Sequence, residues 1–264
     1  MSGIAPLLLS NFALIIGAVL LLWLVAIRIR DVSFIDAFWA FGMVMVAVSS
    51  YVQAGGDPLR KLLLTGLCTL WGMRLATHLF TRWRAHGEDP RYKKILGHAM
   101  ETKGWNWPVA ALIMVFAMQG PMLFVVCLPV QLGQISTVPV GLLGWFGAAI
   151  ALTGIVFETV GDAQLERFRA DPAMAGKVLD TGLWRFTRHP NYFGDACTWW
   201  GLYIIAAEAS PGWWALPGPL LITWLLTRLS GVPMLERGMR KTRPGYAEYV
   251  ARTSGFFPLP PKQG

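Results

Sequence analysis

Seven stretches of this chain are long and apolar enough to cross a lipid bilayer, and that pattern excludes most folds. About 20 predominantly apolar residues span the hydrocarbon core. Such runs occupy roughly 4–27, 35–53, 59–80, 108–130, 140–161, 193–209 and 211–230. Only 14% of the 264 residues are charged, against about 25% in soluble domains. In hydrocarbon every backbone N–H and C=O needs an internal partner, and a helix supplies them within one segment. The expected fold is an all-α membrane protein of seven transmembrane helices, with residues 1–264 forming a single integral-membrane domain. The first run has no basic n-region and no small-residue cleavage site, so it reads as a retained helix stopped by Arg28 and Arg30.

Charge separates by loop. Twenty of the 23 Lys and Arg residues follow the first, third, fifth and seventh runs, at 28–30, 82–103, 167–188 and 228–262. Only Arg60, Lys61 and Arg74 fall elsewhere. An odd number of spans puts all four basic segments on one face, which the positive-inside rule makes cytoplasmic, with the N-terminus outside. The net charge of +8 is then a matter of topology and of contact with anionic lipid or ligand. Nucleic acid is not the expected partner, because no basic helix interleaved with aromatics lies in a soluble domain. Cys68, Cys127 and Cys197 fall inside apolar runs without a CxxC, which points away from disulfides and zinc.

The segment Arg188-His189-Pro190-Asn191-Tyr192-Phe193-Gly194-Asp195 carries the densest chemistry. Proline at the first turn of a helix loses no hydrogen bond, so Pro190 opens one, and Asn191 and Asp195 share a face. The positive helix end beside Arg188 and His189 suits an anion such as a phosphate. Upstream, Glu158, Asp162, Leu165 and Arg169 follow helical spacing. The two carboxylates near a helix C-terminus oppose the macrodipole. Either Arg169, or Arg185 and Arg188, neutralises them, or they accept hydrogen bonds from a ribose or adenine. The loop after the third run brings Arg84, Glu88 and Tyr92 together around Gly87 and Pro90. On the second and third runs the notable ionisable residues are Asp36 and, sharing a face, Arg74 and His78, whose mutual pairing would fasten the two helices; Ser33-Phe-Ile-Asp36 also fits a capping box. The tail holds Arg240, Lys241 and Tyr246, either as a basic helix on anionic lipid or as a grip on a cofactor's phosphate and base. Glu208 reads as an interfacial residue. There is no GxGxxG after a strand, no Walker A, no HExxH and no GxSxG, so any nucleotide site is built from membrane helices and their loops.

These segments, with Arg243-Pro-Gly-Tyr246-Ala-Glu-Tyr249, resemble the C-terminal half of the steroid 5-alpha-reductase family over about 140–260, most closely its bacterial membrane homologues. Val32-Ser-Phe-Ile-Asp36-Ala-Phe-Trp39 and Gly87-Glu-Asp-Pro-Arg-Tyr92 extend the resemblance through the N-terminal half. It implies a seven-helix protein of the bacterial inner membrane holding NADPH at the cytoplasmic side and reducing a C=C bond conjugated to a ketone. The implied cofactor residues are Asn191 and Asp195 at the nicotinamide end and Asp162 and Arg169 on the adenosine part. Arg84, Glu88, Tyr92, Glu158, Leu165, Arg188, His189, Tyr192, Arg240, Lys241 and Tyr246 are expected around them. The family has Asn at the position of Glu158. Asp36, helped by Arg74 or His78, is the expected acid that polarises the ketone of an apolar steroid-like substrate. No metal is expected. The RHPxY segment also resembles that of membrane isoprenylcysteine and phospholipid methyltransferases, which bind S-adenosylmethionine and tend to carry Glu-Glu in their C-terminal helix. Here Glu236 is followed by Arg237.

Overall fold

The computed structural model describes residues 3–229 and 232–262, with the backbone but not the side chains of 232–234, 237 and 241. The described part is 78% helical and has no strand. In chain order the helices are α1 (Ile4–Ile29), α2 (Ile35–Gln53), α3 (Pro58–His86), α4 (Pro90–Lys103), α5 (Trp107–Ala111) and α6 (Ala117–Val126). They continue with α7 (Leu128–Leu132), α8 (Leu142–Ala170), α9 (Pro190–Ala207), α10 (Pro217–Trp224), α11 (Val232–Thr242) and α12 (Tyr246–Arg252). A π turn at Leu112–Phe116 joins α5 to α6, and another at Leu225–Leu229 prolongs α10.

Four segments are long and apolar enough to cross a membrane: Ile4–Ile29, Ile35–Gln53, Trp107–Val126 and Leu142–Ala170. The runs expected at 59–80, 193–209 and 211–230 fold as α3, α9 and α10. α3 carries too many charges to match those four in apolarity, and α10 is only eight residues long. Two loops are shorter than the sequence suggests. α3 continues to His86 and α4 begins at Pro90, so most of 82–107 is helix, while α8 continues to Ala170 and carries 158–169 on one unbroken rod.

Local chemistry explains several starts. Asp57, Asp89 and Asn106 each precede a proline-containing first turn and accept a backbone N–H, from Arg60, Arg91 and Val109 respectively. Such caps satisfy donors that a helix leaves open. α9 opens at Pro190, as expected.

Two packings position the site. α8 and α9 approach through glycines: a Cβ at Gly194 would lie 2.5 Å from the Glu158 backbone nitrogen, and one at Gly154 would lie 2.5 Å from the Gly194 oxygen. Small residues permit this closeness, and it sets Glu158 and Asp162 beside Asn191 and Asp195. α3 and α8 run in the same direction, since Trp71 meets Glu158, Arg74 meets Asp162 and His78 meets Glu166. The edge-on stack of Trp71 and Trp199, 5.3 Å between centroids, closes the floor. At the opposite end of the bundle, Asn11 donates to Ser50 and Gln131 and accepts from Ser49. These bonds tie α1, α2 and α7 together, as neutral polar residues commonly do between membrane helices.

Candidate functional site

At the centre of the site is the half-buried Arg74 on α3, set against the buried acids Glu158 and Asp162. Its Nη1 lies 2.6 Å from Asp162 Oδ2, and its Nη2 forms an ion pair with Glu158 Oε1. Trp71 donates to the other oxygen of Glu158 at 2.9 Å, and Asn191 donates to Asp162 Oδ1 at 3.1 Å. The carboxylates of α8 are therefore neutralised from α3, not by Arg169, Arg185 or Arg188. A third acid, Asp195, lies within electrostatic reach of Arg74. Its Oδ1 is buried without a hydrogen-bond partner among the described residues. Buried polar atoms are nearly always paired, so this oxygen is an open acceptor.

Along α3 the stripe continues through His78 to Arg82. His78 Nδ1 lies 3.1 Å from Glu166, a carboxylate that is mostly exposed. Arg82 lies about 12 Å beyond Arg74, at about 1.5 Å per residue. It is within electrostatic reach of Arg169 on α8, which also feels Arg243 beyond α11 and Tyr192 on α9. Arg82, Arg169 and Arg243 form no ion pair among the described residues. Arg82 and Arg243 thus lie within electrostatic reach of Arg169, and none of the three is held in an ion pair, although Arg169 also feels Asp162 and Arg82 is felt by Asp36. Like charges repel unless an anion shares them, and planar guanidinium suits phosphate.

Asp36 sits on the adjoining wall. The expected capping box does not form: Phe34 takes the cap position, and Ser33 Oγ instead accepts the Asp89 N–H at 2.8 Å. Asp36 Oδ1 accepts the Tyr92 hydroxyl at 2.5 Å, and Oδ2 lies 3.6 Å from Arg91. Arg91 is fixed by a forked pair with Asp89. Burial, and next the charge of Asp36, raise the Tyr92 phenol well above its ordinary range, so it is an O–H donor at neutral pH. Arg82 and Arg91 join this wall to the other, because Arg82 is felt by Asp36 and both are felt by Tyr192. Asp36 thus meets Tyr92 and Arg91, whereas Arg74 and His78 are held by α8. The three residues expected to act together have separate partners.

The head of α9 holds an anion from the chain itself. Arg188 Nε and His189 Nε2 lie 2.7 and 3.3 Å from one oxygen of Glu236 on α11. Arg188 also donates to the Thr253 carbonyl at 2.5 Å, and the Tyr249 hydroxyl donates to the Trp184 carbonyl at 2.5 Å. Burial pushes the Glu236 carboxyl upward, but bonds from His189 and Arg188 overcome it and hold it at about 2. The phosphate expected beside Arg188 and His189 is replaced by this internal carboxylate. The His189 ring lies parallel to Tyr192, centroids 5.4 Å apart.

The remaining expected residues vary in position. Arg84 is exposed, Leu165 half-buried, and Glu88 pairs with Lys93 at 3.2 Å. Arg240 lies 4.0 Å from Glu236. Tyr246 is only 4% exposed and packs on Tyr249, so its ring offers no open stacking face. The side chain of Lys241 lies outside the described residues. None of these expected residues lines the surface recess of about 660 Å³ between residues 175–180 and α12. Sequence reasoning missed Arg82, Arg91, Arg243 and Glu236 as site residues. The spacing of Arg74, His78 and Arg82, each four apart, was the available signal for the first of them.

A family model described as "Protein of unknown function (DUF1295)" matches residues 22–253. The chain belongs to the DUF1295 family. That match runs from within α1 through α12 and so includes every wall of the site. A fission-yeast relative, the uncharacterized protein C594.04c of Schizosaccharomyces pombe, is 22% identical over 270 residues. The alignment covers 90% of this DUF1295 chain and 75% of the yeast protein. No solved structure matches the chain.

Proposed function

We propose that this protein is a seven-span membrane reductase, N-terminus outside, that uses NADPH to saturate a C=C bond conjugated to a ketone in an apolar, steroid-like enone. The observation that carries the reading is that Arg82 and Arg243 lie within electrostatic reach of Arg169 with none of the three in an ion pair among the described residues, in a polar site that also holds the open oxygen of Asp195. The four basic segments all gather at this end, which the positive-inside rule makes cytoplasmic.

The residues present fit such a cofactor. Arg82, Arg169 and Arg243 would hold its phosphates, Asp162 and Asn191 its hydroxyl and amide groups, and Asp195 would accept an amide N–H. When bound, NADPH supplies a hydride for the β carbon of the enone. The protein's own part is the proton and the orientation. As electron density moves to the ketone oxygen, Tyr92 would turn its single O–H from Asp36 to that oxygen and stabilise it. Arg91 keeps Asp36 in place, and a proton from solvent completes the α carbon while the Tyr92 O–H returns to Asp36. The apolar helices around the site exclude bulk water and accept a substrate dissolved in lipid.

S-Adenosylmethionine chemistry is the second reading, favoured by the link of Arg188 and His189 to Glu236, the acidic position of the C-terminal helix. The arginine cluster weighs against it, because S-adenosylmethionine carries no phosphate. The test is loss of enone absorbance in detergent-solubilised protein with NADPH and testosterone or progesterone. Turnover with NADPH supports the reductase. Absence of turnover on several enones, together with saturable S-adenosylmethionine binding, moves the protein to the methyltransferases.

A further inference from the structure

The segment after α12, Gly255-Phe-Phe-Pro-Leu-Pro-Pro261, carries exposed apolar side chains that no part of the site uses. Phe257 is 65% exposed and Leu259 55%, and Phe186, whose carbonyl accepts the Leu259 N–H, is also exposed. The patch is continuous with a helix that crosses the membrane. Phe256 and Phe257 lie 5.9 and 6.1 Å from Phe193, which lies 5.3 Å from Phe157 of α8. On either side of Phe157, Val156 and Val160 expose apolar surface.

Irregular backbone normally stays out of lipid because its open N–H groups cannot be satisfied there. From Pro258 onward this segment avoids that cost. Pro258, Pro260 and Pro261 have no N–H to satisfy. Leu259 donates to Phe186 at 3.0 Å, and Lys262 donates to Arg252 at 2.9 Å. From 258 to 262 no backbone donor is left open. Arg185 and Lys262, both exposed, border the patch with positive charge that suits lipid phosphates. A second copy of the chain docked by a two-fold contact on the same patch would bring these cations against themselves.

We propose that residues 256–261 insert into the headgroup–acyl boundary of the bilayer at the α8–α9 end, as a proline-closed wedge that fastens the C-terminal segment to lipid. The inference depends on α8 crossing the membrane and not on the reductase reading.

The test is an environment-sensitive NBD label on Phe257→Cys in full-length protein reconstituted with phosphatidylethanolamine and phosphatidylglycerol. Lys177→Cys serves as the aqueous control, and wild type gives the background from its three buried or half-buried cysteines. Lipids brominated high on the acyl chain should quench the label at 257 about threefold or more above the control, with a blue-shifted emission. Equal quenching at 257 and 177 would overturn the proposal. A blue shift without bromolipid quenching, accompanied by 257–257 crosslinks, would overturn it in favour of a contact between copies. Should Phe257→Cys not elute as wild type does in detergent, Leu259→Cys provides the same readout.

Discussion

Arg60 and Arg74 lie on the same helix, about 21 Å apart at about 1.5 Å per residue, and their surroundings differ in kind. Arg60 is fully buried and fully occupied. It donates to the carbonyls of Val138, Pro139 and Ile205 and to Glu208 at 2.8 Å. Glu208 also accepts the Gly141 and Gly144 N–H groups, each at 2.9 Å. One charge meets one charge and no polar atom is left over. Arg74, by contrast, faces Glu158 and Asp162 with Asp195 close by, and an oxygen of Asp195 has no partner. Further along the same stripe, Arg82 and Arg169 lie within electrostatic reach of each other and neither forms an ion pair among the described residues. A closed network holds a fold together, whereas a network that leaves buried polar atoms such as Asp195 Oδ1 and Arg74 Nε without partners is prepared for something that is not protein.

The comparison predicts opposite outcomes at the two ends. Arg60→Ala leaves Glu208 and three carbonyls short of a buried donor, and we expect it to lower stability by about 3–5 kcal/mol. Thermal unfolding in detergent reads that loss, while nucleotide affinity of the folded fraction stays unchanged. Asp195→Ala has the reverse signature: the protein folds, and NADPH binding or turnover falls about 10- to 100-fold, the weight of one hydrogen bond to a charged group. Arg82→Ala and Arg169→Ala should each weaken NADPH about tenfold and reduce the salt dependence of binding. Neither should lower the melting temperature, because each removes one of several like charges.

The last prediction concerns Glu236, where the chain supplies its own anion. A carboxyl held at about 2, below its ordinary 4.5, stabilises the fold above pH 4.5. That contribution is lost as the pH falls toward 2. We expect about 1 kcal/mol, reduced by solvent screening. Amide protection across 232–252, corrected for the intrinsic exchange rate at each pH, should therefore fall between pH 4.5 and 2, and Glu236→Gln should lower it already at pH 6.

What the sequence made legible follows from the range of the interactions. The helical content, the opening of α9 at Pro190 and the shared face of 158, 162 and 169 depend on neighbours within a turn or two. Partner choice depends on residues far apart in the chain. Asp36 and Ser33 read locally as a capping box, yet each bonds to the start of α4 instead. Glu208 reads as an interfacial carboxylate until Arg60, 148 positions away, is placed beside it. Glu158 and Asp162 await Arg74, from a helix distant in sequence, and that pairing separates Arg74 from Asp36. The arginine cluster is drawn from three separate segments, so only one of its members, Arg169, was visible as a cofactor residue.

The most direct test of the account is to identify by mass spectrometry the nucleotide that co-purifies with gently solubilised protein, and to repeat it with Arg169→Ala. The account predicts NADPH or NADP⁺ in the wild type and its loss from the variant. S-Adenosylmethionine in its place, or a wild-type protein that neither carries nor takes up the dinucleotide when it is supplied in excess, would contradict it.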